Sequence, residues 1–370
     1  MNGTYNKAYK FRLLPNKKQE IFFSKTFGCV RFIYNKMLAY ADNYYKEHGK
    51  AGYSTPAQYK KEFSWLKEID SLALANAQIN LKKAFQAFFD KKSHFPRYKS
   101  KKDTRKRYTT NNQEASQAIR ITGAYIRLPK VGLVKFIQHR QLKDNEKIKS
   151  CTITKSPSGK YYISITVEGS HVVAPITVSK DKVIGLDFSM TYLYVSSEGK
   201  KANYPRYYRK AEQKLHILSR SVSRKKKGSN NRYKARLKLA RWHEYISNIR
   251  QDFLHKLSKA LADQYDAVIV EDLNMHAMSQ ALNFGKSVAD NGWGTFLSFL
   301  GYKLADRGKL LIKLDKWFAS SKLCSACGSI KDDLQLSDRI YACIACGFMQ
   351  DRDLNAALNI KTAGMAGIAW

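Results

Sequence analysis

The chain has 370 residues, of which 44% are hydrophobic and 12% aromatic, enough for two or three domains with substantial cores and too apolar for wholesale disorder. Lys and Arg number 66 against 30 Asp and Glu, a formal charge of +36. Such a charge repels itself in a compact fold unless a polyanion is the usual partner, so nucleic acid is the first reading; an anionic membrane surface would need an amphipathic anchor, and none stands out.

In chain order, the first dozen residues read as a strand: Ala8, Tyr9, Phe11 and Leu13 suit one, and Pro15 ends it. A helix follows, with Cys29, Phe32, Ile33 and Met37 at three- and four-residue steps, and breaks come at His48-Gly49 and around Ser54-Thr55-Pro56. The next helix is expected to start with Ser71 as N-cap and to bury Leu74, Ala77, Leu81, Ala84, Phe85 and Phe88. Residues 91–107 then carry nine Lys or Arg with Phe95 and Tyr98 interleaved, a solvated linker or a nucleic-acid track. Strand character returns over 119–167, including a hairpin about Ser156-Pro157-Ser158-Gly159 whose second strand places Ile163, Ile165 and Val167 on one face. Strand, helices, strands implies a small β-barrel with a helical insertion, and 170–180 reads as a linker.

The second half begins with a buried strand, Val183 to Asp187, and its antiparallel neighbour, Tyr192 to Ser196. Two long helices, about 204–223 and 231–264, flank the basic turn Arg224 to Asn230. Val268-Ile269-Val270 is a second buried strand ending in Glu271-Asp272, followed by a helix over about 294–307 and a strand over about 310–317. No stretch approaches the ~18 apolar residues of a membrane span. The first residues lack the apolar core of a secretion signal, so a cytoplasmic location is expected, where thiols stay reduced and Cys favours metal over disulfide.

Cys324, Cys327, Cys343 and Cys346 form C-x2-C-x15-C-x2-C. Two such knuckles supply four soft thiolates to one tetrahedral ion, so a structural Zn²⁺ with no open coordination position is expected. Cys29 and Cys151 read as core thiols. Three acids sit in telling places: Asp187 and Glu271 end apolar strands, and Asp353 opens a helix just after the knuckles. Each alone is commonly a cap or a surface group; together, in a chain of +36, they are suited to hold Mg²⁺. Two such ions about 3.5–4 Å apart stabilise both the attacking and the leaving oxygen in phosphodiester hydrolysis. The order strand-Asp, strand, helices, strand-Glu, helix-Asp matches a ribonuclease-H-like nuclease. Asp272 and Asp351 are adjacent alternatives; strand alternation turns Asp272 away from Glu271's face.

These stretches resemble the TnpB (OrfB) proteins of small insertion sequences, compact RNA-guided nucleases related to type V CRISPR effectors. The matching segments include 7–12, 27–32, 95–100, 128–132, Ile184-Gly185-Leu186-Asp187, 223–229, 238–241, 250–257, Val270-Glu271-Asp272-Leu273, Ser320 to Cys324 and 351–360. The resemblance implies an α+β and α/β multidomain chain: a wedge β-barrel from 1–15 and 108–180, a helical recognition domain over 16–107, and a RuvC-like nuclease from 181–319 and 349–370 with a zinc-binding insertion at 320–348. It implies a triad of Asp187, Glu271 and Asp353, and is the reason for preferring Asp353 to Asp351. It also implies a guide RNA from the transposon end and double-stranded target DNA cut beside a short transposon-adjacent motif. A monomer with its RNA, associated with the nucleoid when on DNA, is the expected state.

The division of labour in such a complex assigns sequence reading to base pairing and phosphate contacts to the protein. The candidate contacts are Arg97, Lys99, Lys101, Lys102 and Arg105, the turn Arg224, Lys225, Lys226 and Lys227, and Arg232, Lys234 and Arg236 on the following helix. Tyr53, Thr110 and Asn111 are candidate readers of the adjacent motif. Rival readings are a transposase or integrase that works on the same core without RNA, and a regulator that binds without cutting.

Overall fold

The computed structural model describes residues 4–103, 106–113, 117–170, 173–281, 285–335 and 337–368. It separates into two compact units, residues 1–172 and 173–370.

The first unit begins with β1 (Thr4–Leu14). Helix α1 (Lys17–His48) follows without interruption for 32 residues. It starts at a capping box, in which Asn16 accepts from the Gln19 amide and Gln19 reaches back to the Asn16 amide. It stops at Gly49, whose φ of 64° is the left-handed C-cap geometry. Short α2 (Pro56–Glu62) and α3 (Ser71–Phe89) come next. The N-cap of α3 is Asp70, not Ser71: one Asp70 oxygen accepts from the Leu72 amide and the other takes the Thr110 hydroxyl.

The remaining strands are β2 (Lys106–Asn111), β3 (Arg120–Thr122), β4 (Tyr125–Leu128), β5 (Gly132–Ile137), β6 (Glu146–Lys155) and β7 (Tyr161–Ser170). They join β1 in one antiparallel sheet ordered β2-β6-β7-β1-β5-β4-β3. Among the described residues β2 and β3 do not pair with each other, so the hydrogen-bonded ladder does not close on itself. Alternation along β7 buries Tyr161, Ile163, Ile165 and Val167, and these side chains share one core with Phe23, Phe27 and Ile33 of α1 and Leu74, Ala77 and Leu81 of α3. Cys29 and Cys151 lie in that core, as core thiols should.

The second unit is built on a four-stranded sheet, β11-β10-β8-β9, from β8 (Val183–Phe188), β9 (Tyr194–Ser196), β10 (Ala267–Glu271) and β11 (Leu310–Leu314). β8, β10 and β11 are parallel and β9 is antiparallel. The crossover from β9 to β10 carries α4 (Tyr207–Ser223) and α5 (Asn230–Gln264). The crossover from β10 to β11 carries α6 (Met275–Ala281), α7 (Gly285–Asn291) and α8 (Trp293–Ala305). The hairpin β12 (Ile340–Ala342) and β13 (Met349–Asp351) then leads into α9 (Arg352–Met365).

Period-2 alternation gives the sheet two apolar faces. Ile184, Leu186, Val268 and Val270 pack with Leu254 and Leu261 of α5 and Phe296 and Leu300 of α8. Val183, Ala267 and Ile269 pack with Ile360 of α9. A parallel sheet covered on both sides requires apolar runs such as Ala267 to Val270. The expected strand to residue 317 ends instead at Leu314, because Asp315 closes a turn by accepting from the Trp317 amide.

Candidate active site and metal centre

The register of the parallel strands positions two of the three acids. Leu186 pairs with Val270, so Asp187 and Glu271, each one residue further on, lie side by side on one face where the paired stretch of the two strands ends. Gly185 and Ile269 belong to the same face, and α9 lies on it. A Cβ on Gly185 would sit 2.3 Å from the Ala357 carbonyl oxygen and 2.7 Å from the Lys361 nitrogen; one on Gly364 would sit 2.4 Å from Ile269 Cγ2. Backbone meets backbone at Gly185 because no side chain separates them. From Ala357 back to Asp353 is about 6 Å of helix rise, and from Gly185 forward to Asp187 is about 6.6 Å of strand. These similar steps bring Asp353 within electrostatic reach of Asp187.

Burial pushes the Asp187 carboxyl well above the usual carboxylate range, and the charges of Glu271 and Asp353 push it the same way against the opposing Arg352 guanidinium. Burial also raises Glu271, opposed by the hydroxyl of Ser320, which donates to it. Asp353 keeps 20% of its side chain exposed, with Arg352 Nη2 at 3.4 Å. Three carboxylates and one guanidinium leave an unbalanced negative site, the electrostatic condition that a divalent cation relieves.

The neighbours are otherwise engaged. Asp351 Oδ1 caps α9 by accepting from the Asp353 and Leu354 amides at 3.0 and 3.1 Å, and Oδ2 pairs with Lys201 at 3.0 Å. Burial pushes its carboxyl up, but Lys201 and those amides outweigh burial and hold it low. Asp272 pairs with Lys313 at 2.8 Å. The choice of Asp353 over Asp351 thereby acquires a physical reason.

The four cysteines bring their sulfur atoms within 4.8 Å of one another, and among the described residues they are the one group of three or more His, Cys, Asp or Glu so gathered. Cys324 and Cys346 sulfurs are 3.8 Å apart, and those of Cys327 and Cys343 are 3.6 Å apart. A tetrahedron with Zn–S bonds of about 2.3 Å has edges of about 3.8 Å, so the thiols fit one zinc ion. Each knuckle repeats the same local structure. The Gly328 and Gly347 amides, at φ 77° and 73°, donate to the Cys324 and Cys343 carbonyls at 2.9 and 3.0 Å. The hydroxyl and amide of Ser329 draw the Cys327 thiol down to about 6, favouring the thiolate that metal binding requires.

Several residues that tie these centres together carry no obvious mark in the sequence. Asn355 and Asn359, one turn apart on α9, are buried. Asn355 donates to the Leu323 carbonyl and accepts from the Ser325 amide. Asn359 donates to the Ser320 and Leu323 carbonyls at 2.8 and 2.6 Å. Ser320 thus links Glu271 to α9, and the first knuckle hangs on the helix that carries Asp353. Polar residues at i and i+4 on a buried helix face were the available signal.

The candidate nucleic-acid residues fall into different situations. Arg97, Lys101 and Lys102 are exposed, as are Arg224, Lys226, Lys227, Lys234 and Arg236, with Lys225 half-buried. Lys99 holds its ammonium 3.7 Å from the Tyr34 ring centre. Tyr53 is exposed with one edge on Phe85, and Asn111 pairs with Asn76 at 3.4 Å. Arg105 lies outside the described residues. One assignment is corrected, and another acquires a structural partner. Thr110 is 1% exposed and gives its hydroxyl to Asp70, so it faces the core rather than a ligand. Arg232 donates to the Val222 and Lys225 carbonyls at 2.8 and 2.9 Å, closing the turn between α4 and α5. No helix among the described residues is long and apolar enough to cross a membrane.

Comparison with known proteins places the chain in a family. The OrfB_IS605 family model, described as "Probable transposase", matches residues 163–282, and the "Cas12f1-like, TNB domain" model matches 293–360. A "Helix-turn-helix domain" model matches residues 1–50, where the described residues form β1 and the single helix α1. A protein of Streptomyces pristinaespiralis named "Putative RNA-guided DNA endonuclease" is 36% identical over 98% of this chain and 90% of its own length. An Escherichia coli K12 relative, named "Putative RNA-guided DNA endonuclease InsQ", is 31% identical over 98% of this chain and 93% of its own. The Cas12f1 chain in a cryo-EM complex with sgRNA and target DNA superposes with a TM-score of 0.63 at 12% identity, over 97% of this chain and 99% of that one, which is a likeness of fold. With full-length relatives above 30% identity, this chain belongs to the OrfB (TnpB) family.

Proposed function

We propose that this chain is an RNA-guided DNA endonuclease of RuvC type, in which Asp187, Glu271 and Asp353 hold Mg²⁺ and the four cysteines hold one structural Zn²⁺. The observation that carries the proposal is the register that puts Asp187 and Glu271 one residue beyond the Leu186–Val270 pair on adjacent parallel strands, with Glu271 and Asp353 both acting electrostatically on Asp187. The names of the full-length relatives support guided DNA cleavage as the activity. In this reading the antiparallel sheet is the wedge domain and α1 to α3 the recognition domain.

The donor set fits the metal: hard carboxylate oxygens and a surplus of negative charge. Two Mg²⁺ ions bound there supply stabilisation of the charge developing on the attacking and leaving oxygens of a phosphodiester. The chain's own residues provide the rest. Strand register fixes Asp187 against Glu271, Ser320 orients Glu271 by its hydroxyl, and Arg352 steadies Asp353. The exposed basic residues Arg97, Lys101, Lys102, Arg224, Lys226, Lys227, Lys234 and Arg236 would contact phosphates, and Tyr53 and Asn111 remain candidates for the adjacent-motif edge.

The test has two arms. RNA that co-purifies with the chain expressed from its native locus is sequenced; a discrete transposon-end RNA is expected, and its absence would count heavily against guidance. Guide, matched duplex and Mg²⁺ are then given to wild type and to Asp187→Ala. Equal cutting by both would remove the proposed active site.

A further inference from the structure

Trp317 keeps 80% of its surface exposed, an unfavourable position for the largest apolar side chain unless something covers it in use. Its place in the chain is specific. Leu314 pairs with Glu271 across the parallel ladder, and the Ser320 hydroxyl donates to the Glu271 carboxylate. Trp317 stands three residues from each of these anchors. Three extended residues span at most about 11 Å, so its backbone cannot leave the neighbourhood of Glu271. The turn that presents it is built rather than loose. Asp315 accepts from the Trp317 amide at 2.8 Å through its side chain, and from the Phe318 amide at 3.0 Å through its carbonyl. Phe318 turns inward against the apolar face that carries Val183 and Ile269, leaving Trp317 outward. The Lys316 ammonium lies 5.0 Å from the indole centre.

An exposed indole beside a cation, just past the edge strand β11 that pairs with the strand ending in Glu271, has the chemistry of a base-stacking platform: a π surface for the base and a charge for its phosphate. We propose that Trp317 stacks on a nucleobase of the single DNA strand entering the carboxylate site, one to a few nucleotides from the phosphate that is cut, and so sets which phosphate reaches Asp187 and Glu271. The proposal rests on the nuclease reading above. Stacking does not distinguish bases strongly, so Trp317 reads position along the strand rather than sequence.

The test walks a single abasic nucleotide through the target strand around the cut, in guided cleavage by wild type, Trp317→Ala and Trp317→Phe. Wild type is expected to slow about ten-fold at one position and little elsewhere. Trp317→Ala is expected to be about ten-fold slower on intact DNA, with a blurred set of cut positions, and to be no slower still when the abasic nucleotide occupies that position. Trp317→Phe should keep most of the rate and the wild-type cut positions. Additive losses at every position, or an unchanged cut pattern in Trp317→Ala, would overturn the proposal. Should wild type cut no guided duplex, the activity reading has failed separately. The stacking is then read by 2-aminopurine fluorescence in a single-stranded oligonucleotide titrated without Mg²⁺: quenching that disappears in Trp317→Ala supports it, and equal quenching by both proteins refutes it.

Discussion

Gly185→Ala is the sharpest probe of how the site is assembled. The added Cβ would lie 2.3 Å from the Ala357 carbonyl oxygen and 2.9 Å from Lys361 Cβ. Moving that oxygen out to 3.0 Å, a separation real Cβ contacts essentially never undercut, requires a shift of about 0.7 Å. The obstacle is helix backbone, so no side-chain truncation on α9 relieves it, and the helix must move as a body. Overpacking of this kind costs about 1–3 kcal/mol. A displacement near 1 Å at reacting groups can cost about 100-fold in rate, because Asp353 moves with α9 while Asp187 stays on β8. Gly364→Ala is the control. Its Cβ would meet three atoms of the Ile269 side chain at 2.4 to 2.8 Å, and Ile269→Ala removes all three. The double variant should regain cleavage relative to Gly364→Ala while remaining less stable than wild type, since a buried Ile→Ala change typically costs about 2–5 kcal/mol. Single-turnover guided cleavage and thermal unfolding together decide the matter. Wild-type cutting by Gly185→Ala would refute the claim that close approach of α9 to β8 places Asp353.

Three other outcomes follow from the same geometry. Removing zinc with a chelator, or substituting Cys324→Ser, should abolish cleavage as well as metal binding, because Ser320, Leu323 and Ser325 lead from Glu271 into the knuckle and are tied to α9; full activity in protein shown by elemental analysis to be zinc-free would contradict this. Asp351→Ala should lower stability by about 1 kcal/mol through loss of an N-cap and retain Mg²⁺-dependent cutting, whereas Asp353→Ala should lose cutting with little change in melting; the reverse pattern would exchange the two assignments. In the first unit, burial alone would raise Glu146, but the Lys143 amide and the Tyr9 and Tyr5 hydroxyls, at 3.0, 2.7 and 2.8 Å, hold its carboxyl below the ordinary value. A depressed folded pKa means stability that is full above the unfolded value, about 4.3, and is lost as pH falls through the folded one; urea midpoints should therefore fall more steeply with acid in wild type than in Glu146→Gln, and identical slopes would refute it.

What could be read from the chain alone divides along a physical line. Asp187 and Glu271 were legible because an apolar run that ends in an acid has one edge and one face to put it on. The knuckles were legible because ligand spacing is local. Both long helices of the second unit were legible from period, whereas α6 and α7 were not, since residues 275–291 carry too little apolar patterning. Gly185 appears in the sequence as an ordinary glycine; its requirement comes from a helix that begins some 170 residues later. Thr110 was misread for a related reason, and Arg232 has a partner that its type alone does not reveal. Residue type tells that a hydroxyl or guanidinium will find a partner, but not whether the partner is Asp70 or the Val222 carbonyl inside the fold, or a phosphate outside it. The same ambiguity moved the α3 cap by one residue, since Asp70 and Ser71 are both good caps and only Asp70 has Thr110 to hold its second oxygen.

The charge distribution explains how a chain of +36 can still keep a cluster of buried acids. Exposed lysines and arginines act through water and salt, and at physiological ionic strength their influence fades over about 8 Å. They attract a polyanion to the surface but do not neutralise a buried carboxylate. Asp187 is governed instead by its own burial and by Glu271 and Asp353, with the Arg352 guanidinium as the opposing charge. Asp351 adds a smaller push on Asp187 in the same direction, but its own charge is matched by Lys201, and that of Asp272 by Lys313. The fold thus gives each acid beside the site its own lysine, while Asp187, Glu271 and Asp353 share the single Arg352 guanidinium and the Ser320 hydroxyl. A protein that needed only to bind nucleic acid would gain nothing from that arrangement, since three gathered carboxylates repel phosphate unless metal ions lie between them.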